Sequence, residues 1–273
     1  AGTYPAASTM KAFSGLAGLK YGFATEESTW ECGGSWDGFN SGDVQKCWLR
    51  TGHGTETFHD SIVDSCDITF YEIAKDFWDA GQAGKISETA LQDEIKRYHF
   101  GSTSGIDITG EAAGRIPTPE WKKDFFKDTP EEASWRGGDM TNMAIGQGYV
   151  LVTPLQIAVA YGAVATGKIM QPHLLQDIRN EQGDIVVTHK AQEVDEPVVD
   201  AKNLKLMREA LHGVVNENSD MYERFAQYGI DAAGKTGTAE VAGKDDYAVF
   251  VCYAPYDDPK YVVSVLIEQG GGG

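Results

Sequence analysis

Three short polar runs constrain this chain more than anything else in it: Ser8-Thr9-Met10-Lys11, Ser65-Cys66-Asp67 and Lys235-Thr236-Gly237-Thr238. They supply a serine beside an amine, a second hydroxyl beside an acidic acceptor, and a cationic strand edge. Together these make an acyl-transfer apparatus that needs no histidine base. The runs lie 57 and 170 residues apart, so the apparatus exists only if the fold brings them to one place.

The bulk of the sequence suits such a fold. A chain of 273 residues, 41% of them hydrophobic, can bury the core of one large domain or two small ones. Its 23 basic residues against 41 acidic ones leave a formal charge of −18, which argues against nucleic acid and favours a small or peptidic ligand. No stretch approaches the roughly 20 apolar residues of a membrane-spanning helix, and no signal-peptide pattern occurs, so the chain as given reads as soluble. The first motif falls at residue 8 and the chain stops in Gly270 to Gly273, which reads as a fragment with an anchor or further domain ahead of residue 1.

Along the chain, Met10, Phe13, Leu16 and Ala17 recur at helical spacing, so a helix is expected over residues 9 to 22 with Ser8 at its N-terminus. Residues 26 to 56 hold Gly, Trp and Cys without periodicity and read as an ordered loop. Helices are expected over 69–77 and 87–98, and residues 101–150 read as mostly irregular. Thr153-Pro154 opens a helix through Ala165 by the N-cap and Pro-at-N1 rule. Asn180-Glu181-Gln182-Gly183 marks a hairpin between 173–179 and 184–189, and 201–215 is an amphipathic helix. Two strand-like runs, 247–253 and 261–268, predict an antiparallel pair beside the Lys235 segment.

In Ser8-x-x-Lys11 the two side chains fall on one helix face, and a lysine neutralised by burial or by nearby positive charge can take the serine proton. Alone, this pattern is more often a solvated helix start. Gly237 removes a side chain where a ligand must lie against the backbone, so the N–H of Thr238 can join that of Ser8 as an oxyanion hole, while Lys235 and the threonine hydroxyls attract a carboxylate. The bland reading is a Gly-rich turn between core elements. Ser65 and Asp67 alone would be an ordinary helix cap, and gain weight only from the other two runs.

Four cysteines add a second pattern. Cys32-x14-Cys47-x5-His53-x12-Cys66 provides three thiolates and an imidazole, the ligand set of a closed structural zinc site, in a loop that lacks other means of ordering itself. A Cys32 to Cys47 disulfide and free thiols stay open as alternatives. Cys252, in an apolar strand-like run, reads as a buried thiol. His59 reads as a helix-surface residue, His99, His173, His189 and His212 as structural or surface residues, and Asp128, Glu131 and Glu132 as a solvated edge. Trp30, Trp36 and Trp48 are expected mainly to pack the loop.

The ordered motifs resemble the penicillin-recognising serine enzymes, and most closely the class B penicillin-binding proteins of the elongation type, the penicillin-binding protein 2 group. The similarity runs from Tyr4-Pro5-Ala6-Ala7-Ser8-Thr9-Met10-Lys11, with Ala7 where Gly is usual, through Gly52-His53-Gly54, Ser65-Cys66-Asp67 and Gly105-Ile106-Asp107. It continues in Gly114-Arg115-Ile116-Pro117-Thr118-Pro119-Glu120-Trp121, Gly146-Gln147-Gly148 and Thr153-Pro154-Leu155-Gln156, and ends with Lys235-Thr236-Gly237-Thr238-Ala239-Glu240 and Tyr253-Ala254-Pro255. Asp67, where many penicillin-recognising enzymes have Asn, is typical of this subgroup. Some relatives have Asp, Asp, His and Cys at the places of Cys32, Cys47, His53 and Cys66, and the present set is a softer version suited to zinc.

The resemblance implies a mixed α/β (α+β) fold, an antiparallel sheet flanked by helices plus an all-helical subdomain, spanning residues 1–273 as a transpeptidase domain. The family's domain has two strands ahead of the nucleophile, so these, an anchor and a non-catalytic domain are expected outside the chain. It implies that Ser8 attacks the penultimate D-Ala carbonyl of a peptidoglycan stem peptide, that Lys11 is the base, that Ser65 relays a proton, and that Asp67 and Lys235 orient the network. Acylation by β-lactams, a SEDS-family glycosyltransferase partner and a place at the outer face of a bacterial membrane follow from it, with no organic cofactor. A penicillin-sensing receptor domain and a serine β-lactamase are the competing readings, distinguished by the fate of the acyl-enzyme.

Overall fold

The computed structural model describes residues 2–195 and 199–273. A 3-10 turn, Ala7–Met10, runs directly into helix α1, Lys11–Tyr21, as the periodicity predicts. α1 is buried from Lys11 through Leu19, so protein surrounds it on all sides. Segment 26–56 is more regular than a loop. It holds β1 (Thr29–Cys32), β2 (Ser35–Trp36), β3 (Gln45–Lys46) and β4 (Gly54–Thr57), paired antiparallel as β1 with β4 and β2 with β3. Strands this short carry no readable alternation of apolar and polar residues, which is why the segment looks aperiodic. Trp36 packs it as expected, buried against Phe39 and Tyr71 with ring centroids at 5.2 and 5.5 Å, its indole N–H donated to Glu72 Oε1 at 2.6 Å. Trp48, by contrast, is 59% exposed.

Helices α2 (Phe58–Val63), α3 (Asp67–Gln82) and α4 (Ala90–Lys96) follow, then α5 (Pro119–Phe125) and α6 (Gly137–Ala144), which occupy a stretch that reads as irregular. α5 begins with Thr118 Oγ1 accepting from the Trp121 N–H and Pro119 at its first position, the signal that also opens α7 (Pro154–Thr166) at Thr153 and Pro154. At α7 the box is complete: Thr153 Oγ1 accepts from Gln156 N–H, and Gln156 Oε1 from Thr153 N–H. Short strands β5 (Ile169–Gln171), β6 (Asp177–Arg179), β7 (Ile185–Thr188) and β8 (Gln192–Asp195) come next, with β6 and β7 forming the expected hairpin and β5 pairing with β8. α8 (Ala201–Asn216) and α9 (Ser219–Ala226) lead to the main sheet.

That sheet is β9 (Ala233–Ala239), β10 (Tyr247–Ala254) and β11 (Tyr261–Ile267), antiparallel in the order β11-β10-β9. Along β10, Tyr247, Val249, Val251 and Tyr253 are buried and the residues between them are not, so one face turns to the core. The register sets Lys235 opposite Val251 and Gly237 opposite Val249, on that same inward face. α7 and α8 pack on the sheet, and α3, α4 and α6 gather with α1 on the helical side. At the centre Phe13 of α1 meets Tyr98, Phe100 and Tyr161 with centroids 4.7, 4.9 and 5.4 Å apart. Each such ring is worth roughly 1.5–3 kcal/mol of burial, so α1 is anchored where its first turn must present Ser8. The fold is the expected antiparallel sheet flanked by helices. No helix among the described residues is long and apolar enough to cross a membrane.

Candidate active site

The turn that carries Ser8 is fixed from three directions. Ala7 N–H donates to Gly146 O at 2.9 Å, Thr9 Oγ1 donates to Ala6 O at 2.6 Å, and the buried Tyr161 hydroxyl of α7 donates to Thr9 O at 2.9 Å. Ala6, Ala7, Thr9 and Met10 are all buried while Ser8 between them is half-exposed, so the turn offers one hydroxyl to solvent. Ala7 holds φ +51°, a left-handed conformation that costs a residue with a Cβ about 1–2 kcal/mol. It is tolerated because Gly146 (φ +73°) leaves room: a Cβ there would fall onto the Ala7 carbonyl oxygen.

Lys11, one helical turn on, is 0% exposed. Its Nζ donates to Ser65 O at 2.7 Å, Ser65 Oγ at 3.2 Å and Asp67 Oδ1 at 2.7 Å. Ser65 itself sits at φ +55°, which turns its carbonyl and hydroxyl toward the same amine. Asp67, the first residue of α3, has its second oxygen occupied by the Trp48 N–H at 2.8 Å. The first two runs, expected to converge, therefore meet at a single ammonium group.

β9 closes the third side. A Cβ added to Gly237 would stand 3.1 Å from Ala7 Cβ and 3.3 Å from Ser8 N, so a side chain there would crowd the approach of the strand to the Ser8 amide. β9 is an edge strand, and Gln147 Nε2 donates to Thr238 O at 3.4 Å. The pleat alternates: Lys235 and Gly237 face the turn, and Thr236, half-buried, and Thr238, exposed, lie on the other face. Lys235 is 0% exposed, and burial first, then the charge on Lys11, push its amine down to about 7, against weaker opposition from Asp67 and Asp64.

Behind Asp67 lies the cysteine cluster. The Sγ atoms of Cys32, Cys47 and Cys66 and a ring nitrogen of His53 all lie within 4.8 Å of one another. His53 Nδ1 is 3.4 Å from Cys32 Sγ and 3.6 Å from Cys47 Sγ, and the three sulfurs are buried. All four cysteines are free thiols, so the disulfide alternative is not what the structure holds. Cys47 Sγ accepts the Asp67 N–H at 3.4 Å, and the hydrogen bond with the Cys66 thiol beside it pushes the Cys47 thiol down while the Cys66 thiol is pushed up. Buried sulfurs at mutual contact distance with one imidazole fit a tetrahedral soft-metal site, and such a site, with four protein ligands, has no open position for chemistry. Cys47, Trp48 and Cys66 thus link the cluster directly to the carboxylate that holds Lys11.

The other sequence expectations fall outside the site. His59 lies on α2 with Glu217 at 2.8 Å, His212 pairs with Asp231 at 2.7 Å, and the His173 and His189 rings lie tilted against each other with centroids 4.2 Å apart. Asp128, Glu131 and Glu132 are exposed, and Cys252 is half-buried. Residue types alone missed three supports, Trp48, Tyr161 and Gln147. Only Gln147 had a signal, its place between two glycines.

Comparison with known proteins agrees with this geometry. A family model described as the penicillin binding protein transpeptidase domain matches residues 1–273. The chain is 34% identical over 293 residues to the peptidoglycan D,D-transpeptidase MrdA of Haemophilus influenzae, covering 100% of this chain and 42% of that protein. It is 29% identical to the Escherichia coli protein of the same name, with 100% and 43% covered, so it spans less than half the length of these curated relatives. Among solved structures, Pseudomonas aeruginosa PBP2 in complex with WCK 5153 superposes with a TM-score of 0.82 at 29% identity, over 98% of this chain and 57% of that one. The Helicobacter pylori complex between PBP2 and MreC gives a TM-score of 0.80 at 28% identity, over 99% and 47%. With the Ser8 turn, a lysine-centred hydroxyl network and a glycine-bearing strand edge in one place, the chain belongs to the penicillin-binding protein transpeptidase family.

Proposed function

We propose that this chain is the catalytic domain of a peptidoglycan D,D-transpeptidase acting through an acyl-enzyme on Ser8. One observation carries the reading: Lys11 Nζ lies within 3.2 Å of both Ser65 Oγ and Asp67 Oδ1, while Gly237 packs on the Ser8 amide. Ser8 Oγ attacks the carbonyl carbon of a D-Ala-D-Ala terminus. The backbone N–H groups of Ser8 and Thr238 receive the developing oxyanion, and the Lys11, Ser65 and Lys235 network carries the proton from the hydroxyl to the departing amine. The outer edge of β9 accepts the donor peptide as an added strand, and Thr236 and Thr238 meet its carboxylate. An amine from a second stem then attacks the ester and releases the crosslinked product. A β-lactam enters the same way and leaves an ester that no acceptor removes.

The same reading gives Cys32, Cys47, His53 and Cys66 a structural zinc ion, supported by four convergent buried donors of the right softness. Bound there, the metal supplies no chemistry of its own and stiffens the support of Asp67. A place at the outer face of the membrane and a SEDS-family glycosyltransferase as working partner complete the proposal.

The test is intact mass after brief and prolonged exposure to a penicillin, with Ser8→Ala as control. A lasting one-to-one adduct absent from Ser8→Ala supports the proposal, and a crosslinking assay on stem peptides then separates an enzyme from a sensor. A transient adduct would mean a hydrolase, and labelling of Ser8→Ala would move the nucleophile elsewhere. Native mass and elemental analysis should find one zinc per chain; protein purified without added chelator and lacking metal would remove that part.

A further inference from the structure

Four aromatic rings form a wall beside the segment that braces the Ser8 turn. Trp121 and Phe125 of α5 stack with centroids 5.0 Å apart, and Tyr149 meets Trp121 at 5.2 Å and Phe126 at 5.7 Å. The wall is open to solvent: Phe125 is 59% exposed and the other three rings are only half-buried. The Arg115 guanidinium lies against it, its Cζ 4.5 Å from the Trp121 ring centroid and 6.0 Å from that of Phe125. Its Nε donates to Tyr149 O at 2.7 Å, and this bond together with the stacking fixes the plane of the fork.

The fork is held in place but its outer donors are unused. A guanidinium always carries its charge and has five N–H donors. Among the described residues no carboxylate pairs with Arg115, and its two terminal nitrogens, which solvent reaches, have no hydrogen-bond partner. Lys122, on α5 beside the same wall, is different, because Asp139 meets its ammonium with both oxygens, at 2.8 and 2.7 Å. Glu120 and Asp124, the acidic residues of α5, are exposed and leave Arg115 unpaired. A chain with 41 acidic residues against 23 basic ones therefore presents a planar, immobilised and uncompensated cation at an aromatic wall. The group that matches this geometry is a carboxylate gripped by two parallel N–H bonds.

Backbone connections bound the distance from Arg115 to Ser8. Ala7 N–H donates to Gly146 O at 2.9 Å, and Tyr149, whose carbonyl receives the Arg115 Nε–H, is three residues further on. Even fully extended, that path places Arg115 Nε at most about 17 Å from Ala7 N. Between the two, Gln147 reaches β9 at Thr238 O, so the same segment follows the strand edge that receives peptide in the reading above. Five extended residues also span about 17 Å, so a stem peptide with its D-Ala pair at Ser8 is long enough for its upstream residues to reach the fork. We propose that Arg115, laid flat on Trp121, binds an upstream carboxylate of a stem peptide and makes the site prefer free stems over amidated ones. This rests on the transpeptidase reading. Donor and acceptor stems present the same carboxylate chemistry, and the experiment separates them.

The experiment is titration calorimetry of the full chain with two peptides. One is L-Ala-γ-D-Glu-meso-diaminopimelyl-D-Ala-D-Ala, and the other is the same peptide with both upstream carboxylates converted to amides. The free peptide should bind about fivefold more tightly, and Arg115→Gln should bring the two to within about twofold of each other. A second measurement needs no variant and stands if Arg115→Gln does not fold: the free peptide, and not the amide, should shield Arg115 from phenylglyoxal, read by peptide mass mapping. Repeating the titration on protein acylated at Ser8 by a penicillin identifies the stem, since a preference that persists belongs to the acceptor and one that vanishes to the donor. Binding of both peptides alike or of neither, a ratio unchanged in Arg115→Gln, or modification of Arg115 at the same rate with either peptide would overturn the proposal. Failure of the transpeptidase reading looks different: Ser8 would go unlabelled by penicillin while the preference for the free peptide remained.

Discussion

Replacing Lys235 by methionine should make the fold more stable while ending its chemistry. The methionine side chain keeps most of the stem's volume and loses the amine. Burial and the neighbouring Lys11 push that amine from 10.5 to about 7, and at 1.36 kcal/mol per unit the wild-type site forgoes at most about 5 kcal/mol below pH 7. Partial loss of packing and relaxation around the charge bring the expected gain to about 2–4 kcal/mol. The pH dependence follows from the sign of the shift. Below about pH 7 both folded and unfolded states bind the proton and the penalty is full. Between there and about pH 10 the unfolded chain binds it and the folded chain does not, so wild-type stability rises with pH and the gap to Lys235→Met closes. At pH 9 the ceiling on that gap has fallen to roughly 2 kcal/mol. Urea unfolding of both proteins at pH 6.5 and pH 9 measures it. A methionine variant no more stable than wild type at pH 6.5, or a gap that does not narrow at pH 9, would show that Lys235 is not held against its charge. A lysine kept at such a cost fits a working group, since catalytic sites commonly trade stability for function.

Two further outcomes test the supports of the Ser8 turn. Gly146→Ala forces a Cβ onto the Ala7 carbonyl from a backbone at φ +73°, so strain and overlap together should cost about 3 kcal/mol or more and abolish penicillin labelling; an unchanged melting temperature would contradict the packing. Tyr161→Phe removes the buried donor to Thr9 O and should lower stability by about 1–3 kcal/mol and slow acylation, and an acylation rate equal to wild type would show that this bond does not position the turn.

Much of the fold was legible because its signals are local. Thr153 and Pro154 announce α7 through a cap that needs only Gln156 three residues on, and the turn at 180–183 announces β6 and β7 in the same way. α5 carries an equally local signal in Thr118 and Pro119, but the prolines at 117 and 130 around it favoured an irregular reading. The strands of segment 26–56 carried none, since two to four residues cannot display a period. Cys32, Cys47, His53 and Cys66 were nonetheless recognisable together, because ligand chemistry is a property of residue type, and the structure brings their donor atoms within 4.8 Å.

What the sequence by itself determined was the inventory: a serine beside a lysine, a second hydroxyl beside a carboxylate, a glycine-bearing cationic strand, and four soft ligands. Only the tertiary structure decided how these groups are paired. Helical spacing sets Lys11 near Ser8, yet its three protons go to Ser65 and Asp67, residues 54 and 56 positions away. Ala7 and Ser65 adopt left-handed backbones that neither residue type prefers, because Gly146 and the Lys11 ammonium hold them there. That Asp67 pairs with Lys11, both of them buried, is likewise absent from the motifs. It depends on where that carboxylate lies and on how completely water is excluded, and both are set by contacts between segments far apart in the chain.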